Sequence, residues 1–280
     1  MKILLTGKDG QLGRQLAQAL QPLGAVKACG RAELDLAWPD MLRQTVREFA
    51  PEAIVNAAAW TNVDGAESDR QAAYAVNAEA PEILAVEAGR CGARMVHFST
   101  DYVFDGAAGR PYTEDDAPNP VSAYGASKLE GERAVQKRCK RHLILRTSWL
   151  YSVAGNNFFT TIAEQAKQGG PLRVVDDQFG SPTSARLLAG ATARALEVSD
   201  ATGVFHVAAG GTASRYEFAR AILEALGIAC EVQPVKSAEL ARPARRPASS
   251  ALANARFVER FGMELPDWRV ALARECAEVK

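Results

Sequence analysis

Short apolar runs alternate with longer amphipathic segments in the first half of the chain, and this alternation predicts the fold. Runs with almost no polar residues are typical of parallel strands that helices cover on both faces. The predicted strands are residues 3–5, 26–29, 53–56, 94–99 and 143–146. Helices are predicted over residues 11–20 and 39–49. Two more helical stretches follow the third strand, with breaks near Asn77 and Pro81, and another helix begins after Ser122. This order predicts an α/β fold with a doubly wound parallel sheet of the Rossmann type and right-handed crossovers.

The pattern loosens after Thr147, where shorter elements and more turn residues follow. Helices are predicted over 156–168, from the 177–183 loop to about 196, and over 214–226, where Ser214 is a suitable cap. Strands are predicted over 172–175 and 205–207. We therefore expect residues 151–280 to form a smaller C-terminal α/β part that is interleaved with the first 150 residues.

A glycine-rich loop joins the first predicted strand to the first predicted helix. Gly7, Gly10 and Gly13 follow the spacing Gly-x-x-Gly-x-x-Gly, a variant of the dinucleotide-binding fingerprint. Glycines let the backbone turn tightly and approach a pyrophosphate, whose charge meets the free N–H groups of the helix N-terminus. The loop predicts that residues 1–150 form a dinucleotide-binding domain, whereas a glycine triplet by itself would indicate only a turn.

The end of the second predicted strand indicates which dinucleotide binds. Gly30 and Arg31 stand where an NAD-selective site places an acidic residue against the adenosine ribose. Without a carboxylate a 2′-phosphate is not repelled, and a guanidinium binds phosphate through a fork of donors. We therefore predict NADPH as the cofactor with Arg31 on the 2′-phosphate. NADH is also possible, because Glu33 is close enough in sequence to bind the ribose diol.

Hydroxyl and amine side chains that suit proton transfer follow the fourth predicted strand. Thr100 stands at the strand end, where open α/β sheets bind ligands, although a strand-end cap would also explain it. Tyr124 and Lys128 are four residues apart and share one face of the helix that Ser122 caps. We expect the Lys128 ammonium to lower the pKa of Tyr124 below the ordinary value of about 10, so that Tyr124 transfers a proton near neutral pH. On spacing alone, such a pair is usually ordinary helix surface.

Composition excludes several other classes of protein. Lys and Arg number 33 and Asp and Glu also number 33, so charge gives no reason to expect a nucleic-acid or membrane partner. The five cysteines are scattered and odd in number, which favours reduced thiols and a cytoplasmic protein. The apolar run after Met1 is too short for a signal peptide, and no run is long enough to span a bilayer. The isolated histidines His97, His142 and His206 favour structural roles.

A proline-stiffened basic loop lies near the end of the chain. Residues 242–247 have the sequence Arg-Pro-Ala-Arg-Arg-Pro. Such a run is either solvated surface or a clamp on an anionic substrate, because arginine binds phosphate in a bidentate manner.

Together these motifs resemble the extended short-chain dehydrogenase/reductase superfamily and, more narrowly, the dTDP-4-dehydrorhamnose reductase family. The resemblance extends over almost the whole chain. The closer match is carried by GKDGQLG at 7–13, VNAAA at 55–59, STDYVF at 99–104, RTSWLY at 146–151, GNNF at 155–158, DQFGSPT at 177–183, RRP at 245–247 and LPDW at 265–268.

The resemblance implies a reaction and a role for each matching residue. A nicotinamide hydride reduces the C4 keto group of dTDP-6-deoxy-L-lyxo-4-hexulose to give dTDP-L-rhamnose. Tyr124 is implied as the general acid, and Lys128 as the residue that holds the nicotinamide ribose. Thr100 bonds the sugar oxygen with Asp101 beside it, and Trp149 packs on the sugar or nucleotide. The remaining implied cofactor-binding residues line the pyrophosphate, the adenine and the rest of the cofactor: Gly7, Gly10, Gln11, Leu12, Gly13, Asp35, Leu36, Ala59, Trp60 and Thr61.

One departure from the family concerns metal and assembly. Some members hold magnesium between two subunits through glutamates, and the matching positions here are Gln15 and Arg186. Neither side chain is a useful ligand for a hard cation. We therefore expect no metal, and a monomer or a weak homodimer.

Two alternative functions stay open at this point. The regulatory subunit of methionine adenosyltransferase resembles this family yet acts as a partner protein, although the intact Thr100, Tyr124 and Lys128 favour an enzyme. A nucleotide-sugar epimerase or dehydratase would retain NAD tightly and would need no added reductant.

Overall fold

A computed structural model describes residues 1–198 and 200–277. The strands in these ranges are β1 Lys2–Thr6, β2 Ala25–Cys29, β3 Ala53–Asn56, β4 Arg94–Thr100, β5 His142–Thr147, β6 Leu150–Tyr151, β7 Leu172–Val175, β8 Phe179–Gly180, β9 Thr183–Ser184, β10 Gly203–His206, β11 Ala213–Ser214 and β12 Val232–Val235. The α-helices in the same ranges are α1 Gln11–Ala19, α2 Pro39–Phe49, α3 Val63–Ser68, α4 Arg70–Tyr74, α5 Ala80–Cys91, α6 Ala123–Arg138, α7 Phe158–Gln168, α8 Ala185–Val198, α9 Arg215–Leu226, α10 Ala255–Phe261 and α11 Trp268–Ala277.

The central sheet has six strands in the order β10-β5-β4-β3-β1-β2, and every neighbouring pair is parallel. Alternate strand residues enter two separate apolar cores, one on each face of the sheet. In β1, Ile3 and Leu5 enter the core shared with α1, α8 and α10, and Leu4 enters the core shared with α2 and α5. Burial on both faces explains why the strands have so few polar residues. The predicted doubly wound Rossmann-type sheet is confirmed.

The second half of the chain adds a third apolar core beside the sheet. Phe159 of α7, Phe218 of α9 and Trp268 of α11 meet there around Tyr151. A two-stranded parallel sheet, β7 with β12, covers this core. The same half also contributes β10 to the edge of the central sheet, so residues on both sides of position 150 build that sheet.

Most predicted elements are confirmed within a few residues, and the helix over 39–49 has the predicted bounds. The predicted breaks near Asn77 and Pro81 are wrong, because the helical path breaks at Asp69 instead. Asn77 lies in a π-helical turn, Ala75–Glu79, that joins α4 to α5. Pro81 stands in the first turn of α5, the helical position that a proline disturbs least.

No helix in the described ranges is long and apolar enough to cross a membrane.

Candidate active site

The carboxyl end of β4 faces the first turn of α6, and the candidate site lies between them. Ser122 caps α6 as predicted, because its Oγ accepts a hydrogen bond of 3.2 Å from the Gly125 N–H. A Cβ on Gly125 would lie 2.1 Å from the carbonyl oxygen of Tyr102, so the glycine is required for this close approach. The cap and the glycine together fix the position of Tyr124.

Tyr124 keeps its proton in this site. Its hydroxyl lies close enough to Thr100 for the threonine to affect its pKa, so the strand end and the helix bring these two side chains together. Burial raises the pKa of Tyr124, and this effect outweighs that of Thr100, which lowers the pKa. The expectation that the pKa of Tyr124 is lowered is therefore wrong for the protein without cofactor. A phenol that stays protonated is suited to donate a proton.

Lys128 does not lie on solvent-exposed helix surface. Its side chain is buried, and its Nζ lies 3.5 Å from Nε2 of His97. Burial lowers the pKa of Lys128 to about 8, although the carboxylate of Glu132 acts in the opposite direction. A buried lysine with a lowered pKa one turn from a tyrosine is uncommon on structural grounds alone, and it favours a functional role for the pair.

Asp101 lies beneath the site and is only 2% exposed. Its carboxylate accepts hydrogen bonds from the hydroxyls of Thr100, Ser148 and Ser250. Burial raises the pKa of Asp101, and these three bonds lower it. The bond to Thr100, 3.0 Å long, holds the threonine hydroxyl in place. Asp101 therefore supports the hydroxyl that faces Tyr124, which is a less direct role than contact with a sugar.

Trp149 lies under an arginine that the sequence analysis did not identify. The guanidinium of Arg215 lies 3.5 Å from the centroid of the indole ring. A Cβ on Gly180 would lie 2.4 Å from the same ring, so this glycine makes room for the indole. Trp149 itself has a left-handed backbone with φ of 46°, a strained conformation for a tryptophan. Sequence offered no signal for Arg215, because an arginine in a first helical turn is usually solvated.

A second arginine comes from the basic loop. Arg246 pairs with Asp64 at 2.8 Å, and both Arg215 and Arg246 lie near Tyr102. Arg242 of the same loop is more exposed and lies 3.9 Å from Asp64. The arrangement places two guanidinium groups near one tyrosine next to Trp149, which is a suitable environment for a doubly charged anion.

The glycine loop has the shape that a dinucleotide requires. Gly7 has φ of 74°, and a Cβ there would lie 2.7 Å from the backbone nitrogen of Ala58. A Cβ on Gly13 would lie 1.9 Å from the carbonyl oxygen of Gly7. Gly10 is the N-cap of α1, whose first residue Gln11 follows directly. The loop thus brings the N-terminus of a helix to the strand end through a tight turn, an arrangement suited to a phosphate.

The other predicted cofactor residues lie around this loop at the ends of β2 and β3. Arg31 forms an ion pair with Asp35 at 3.1 Å, and its side chain is 88% exposed. Glu33 accepts hydrogen bonds from the Gly30 N–H and from Lys8. Leu12 and Leu36 are buried in the two sheet cores, so their side chains serve packing first. After β3 come Ala59, Trp60 and Thr61; the backbone of Trp60 is held by the side-chain amide of Asn77.

The two positions considered for a metal lie on the packed helices α1 and α8. Arg186 forms an ion pair with Glu275 at 3.4 Å, and Gln15 lies on α1, which packs against α8. Among residues 1–198 and 200–277, no group of three or more His, Cys, Asp or Glu side chains is arranged to hold a metal ion.

The comparisons with known proteins agree with this geometry. The sequence profile of the RmlD substrate binding domain family matches residues 1–280. The chain is 44% identical to a dTDP-4-dehydrorhamnose reductase of Burkholderia thailandensis, over 97% of each protein. Among solved structures, a dTDP-4-dehydrorhamnose reductase of Clostridium acetobutylicum matches with a TM-score of 0.96 and 38% identity, over 100% of this chain and 99% of that one. The Bacillus anthracis dTDP-4-dehydrorhamnose reductase, solved in complex with NADP, matches with a TM-score of 0.95 and 35% identity, over 99% of each. This chain therefore belongs to the RmlD substrate binding domain family, together with these dTDP-4-dehydrorhamnose reductases.

Proposed function

We propose that this protein uses NADPH to reduce the C4 keto group of dTDP-6-deoxy-L-lyxo-4-hexulose to the alcohol of dTDP-L-rhamnose. The observation that carries the proposal is the placement of Tyr124 beside Thr100 at the carboxyl edge of a Rossmann-type sheet, with Lys128 buried one turn further along α6. The relatives named above, one of them solved with NADP, support the choice of cofactor and substrate class.

The residues present fit a dinucleotide. The glycine cradle, which a Cβ at Gly7 or Gly13 would fill, supports binding of the pyrophosphate by Gly10, Gln11 and Gly13. Arg31 is the proposed partner of the 2′-phosphate. The remaining proposed contacts come from Asp35 and Leu36 to the adenine, and from Ala59, Trp60, Thr61, Tyr124 and Lys128 to the rest of the cofactor. When bound, NADPH supplies the hydride that adds to the C4 carbon.

The protein's own part in the reaction is to position the ketone oxygen and to protonate it. Tyr124 donates its proton to the oxygen as the carbon is reduced, and its raised pKa keeps it protonated beforehand. In the proposed complex Thr100 donates to the same oxygen, so its hydroxyl proton turns to the substrate from Asp101, which accepts it in the protein without substrate. Lys128 binds the nicotinamide ribose and stabilises the phenolate that remains on Tyr124 after transfer.

The substrate's diphosphate is the proposed ligand of the two arginines. Arg215 and Arg246 both lie near Tyr102, and a guanidinium can bind phosphate oxygens in a bidentate manner. Both terminal nitrogens of Arg246 already bind Asp64, so Arg215 is the primary proposed ligand and Arg246 supports it. Trp149 packs on the sugar or the nucleotide beside them. The Arg246 side chain is largely buried. For this part of the basic loop, burial favours a clamp on an anionic substrate over plain solvated surface.

The proposal also covers the domain organisation, location and partners of the protein. Residues 1–150 form the dinucleotide-binding domain with the catalytic residues, and residues 151–280 mainly bind substrate. The protein works in the cytoplasm on a small nucleotide sugar, as a monomer or a weak homodimer and without a metal. It binds neither nucleic acid nor membrane, in keeping with its balanced charge.

The test mixes the purified protein with NADPH and the dTDP-linked 4-keto-6-deoxy sugar. NADPH absorbance and the sugar products are followed together. We expect one NADPH to be consumed for each sugar reduced, and none without the sugar. Conversion of the sugar without loss of NADPH would instead support an epimerase or dehydratase, and no conversion at all would support a binding protein.

A further inference from the structure

A row of buried polar side chains crosses the central sheet towards Lys128. Thr6, Asn56 and His97 are register partners on the adjacent strands β1, β3 and β4. All three are at most 1% exposed, and Lys128 of α6 closes the row. Polar groups in the interior of a sheet are costly unless their hydrogen bonds are satisfied. The bonds within this row therefore determine which protonation states it can accommodate.

The hydrogen bonds run in one direction along the row. The Thr6 hydroxyl donates to Oδ1 of Asn56 at 2.7 Å, and its oxygen accepts from the Ala58 N–H at 3.3 Å. With Oδ1 so occupied, Nδ2 of Asn56 lies 3.2 Å from Nδ1 of His97 and donates to it. A neutral imidazole that accepts at Nδ1 carries its proton on Nε2. That N–H lies 3.5 Å from Nζ of Lys128.

This arrangement suits an uncharged Lys128. A neutral amine has a lone pair that accepts from the Nε2–H, whereas an ammonium has only donors. For His97 to accept from an ammonium, its proton has to move to Nδ1 and the Asn56 amide has to turn over. That reversal leaves the Thr6 hydroxyl without its acceptor. Two arrangements therefore exist, one for each charge state of Lys128.

We propose that Thr6, Asn56 and His97 are positioning residues whose hydrogen-bond direction reverses when Lys128 gains or loses its proton. The row favours the uncharged form of the buried amine in the protein without cofactor. The functional meaning rests on the proposed reductase, in which the charge of Lys128 acts on Tyr124. The row itself is a property of the fold and is testable without substrate.

Other groups near Lys128 leave His97 as its main polar neighbour. On the same helix, Glu132 favours the charged form, but its carboxylate is bound by Arg146 in a buried bidentate pair. Burial and the Lys128 charge lower the pKa of His97 well below its ordinary value, so the ring stays neutral. Charged residues on the other elements that pack on α6 accept hydrogen bonds from groups other than Lys128. Glu67 of α3 accepts from the Ala123 N–H, Glu82 of α5 from Arg138, and Asp101 after β4 from Ser148.

The first test follows the ring nitrogens of His97 by ¹⁵N NMR in the protein without cofactor. Its signals are assigned by their loss in His97→Gln, and the Lys128 amine is followed through ¹³Cε-labelled lysine. Spectra are taken from about pH 6 to about pH 10, which spans a lowered and an ordinary lysine pKa. We expect the ring proton to move from Nδ1 to Nε2 at the same pH at which Lys128 loses its charge. A tautomer that stays constant through the Lys128 titration would overturn the proposal.

The second test changes the far end of the row. Thr6→Val keeps the side-chain shape and removes the hydroxyl that orients Asn56. Because reversal then no longer costs one neutral hydrogen bond, we expect the pKa of Lys128 to rise by about 0.7, roughly a fivefold change in its protonation constant. Thr192→Val is the matched control: Thr192 is equally buried, but it bonds the Leu188 carbonyl within α8. Equal Lys128 titrations in the two variants would refute coupling along the row. Both measurements are independent of sugar reduction, so failure of the proposed reaction would appear separately.

Discussion

Arg31→Ala tests how the protein distinguishes NADPH from NADH. Arg31 follows Gly30 at the end of β2, and its side chain extends into solvent with Asp35 as its ion-pair partner. Nearby, the Glu33 carboxylate is held by the Gly30 N–H and by Lys8. In the proposed complex, Arg31 is the guanidinium that binds the 2′-phosphate and Glu33 is a carboxylate that can bind the ribose diol. Removing Arg31 should affect only the cofactor that carries the phosphate.

The expected loss is modest, because Arg31 is exposed and already paired. A charge-assisted hydrogen bond contributes about 1.5–3 kcal/mol in favourable cases. Solvent screening and competition from Asp35 reduce this contribution towards the lower end. We therefore expect NADPH affinity to fall about tenfold, with a change of less than about twofold for NADH.

Calorimetric titration of the wild type and the variant with each cofactor measures both affinities without substrate. Arg43→Ala is the matched control, since Arg43 also pairs with a nearby acid, Asp40 at 2.9 Å, but lies on α2. Raising the salt concentration should shrink the Arg31 effect, because exposed charge contacts are screened. Equal losses for NADPH and NADH in Arg31→Ala would show that this residue does not bind the 2′-phosphate.

Three further changes have expected outcomes. Tyr124→Phe should lower turnover by about two to four orders of magnitude in a steady-state assay, with NADPH affinity retained. The control variant Tyr216→Phe should have a turnover near that of the wild type. A near-wild-type rate for Tyr124→Phe would exclude the general-acid role. Burial lowers the pKa of His206 to about 3 in the folded protein. As the pH falls, the unfolded chain therefore takes up a proton on this residue before the folded protein does. The free energy of unfolding should consequently fall by about 2 kcal/mol between about pH 7 and about pH 5. His206→Gln should flatten that part of the pH dependence in denaturant titrations, and an unchanged slope would contradict it. Because Gln15 and Arg186 replace carboxylates, EDTA should leave activity unchanged, whereas a loss that magnesium restores would reveal a metal site.

Local signals in the sequence were enough to predict most of the fold and part of the site. The glycine spacing, the strand end at Thr100 and the cap at Ser122 each depend on a few consecutive residues, and the structure contains all three features. The break near Asn77 was predicted wrongly because contacts with distant residues decide it. An asparagine usually interrupts a helix, but here its side chain bonds the backbone of Trp60 and the hydroxyl of Ser127.

Features that join distant parts of the chain were not predictable in the same way. Asp101 accepts hydrogen bonds from the hydroxyls of Ser148 and Ser250, and nothing in the spacing of these residues along the chain indicates that they meet. The stacking of Arg215 on Trp149 likewise needs the relative placement of α9 and the segment after β5. The pKa of Tyr124 was mispredicted for a related reason, since the degree of burial at the site depends on the tertiary packing.

The most direct test of the central claim uses NADPH that carries deuterium at the transferable position of the nicotinamide. The purified protein is incubated with this cofactor and the dTDP-linked 4-keto-6-deoxy sugar, and the product is analysed by NMR and mass spectrometry. We expect one deuterium on C4 of a 6-deoxyhexose, with an equal amount of oxidised cofactor. A product without deuterium at C4, or an unchanged sugar in the presence of bound NADPH, would contradict it.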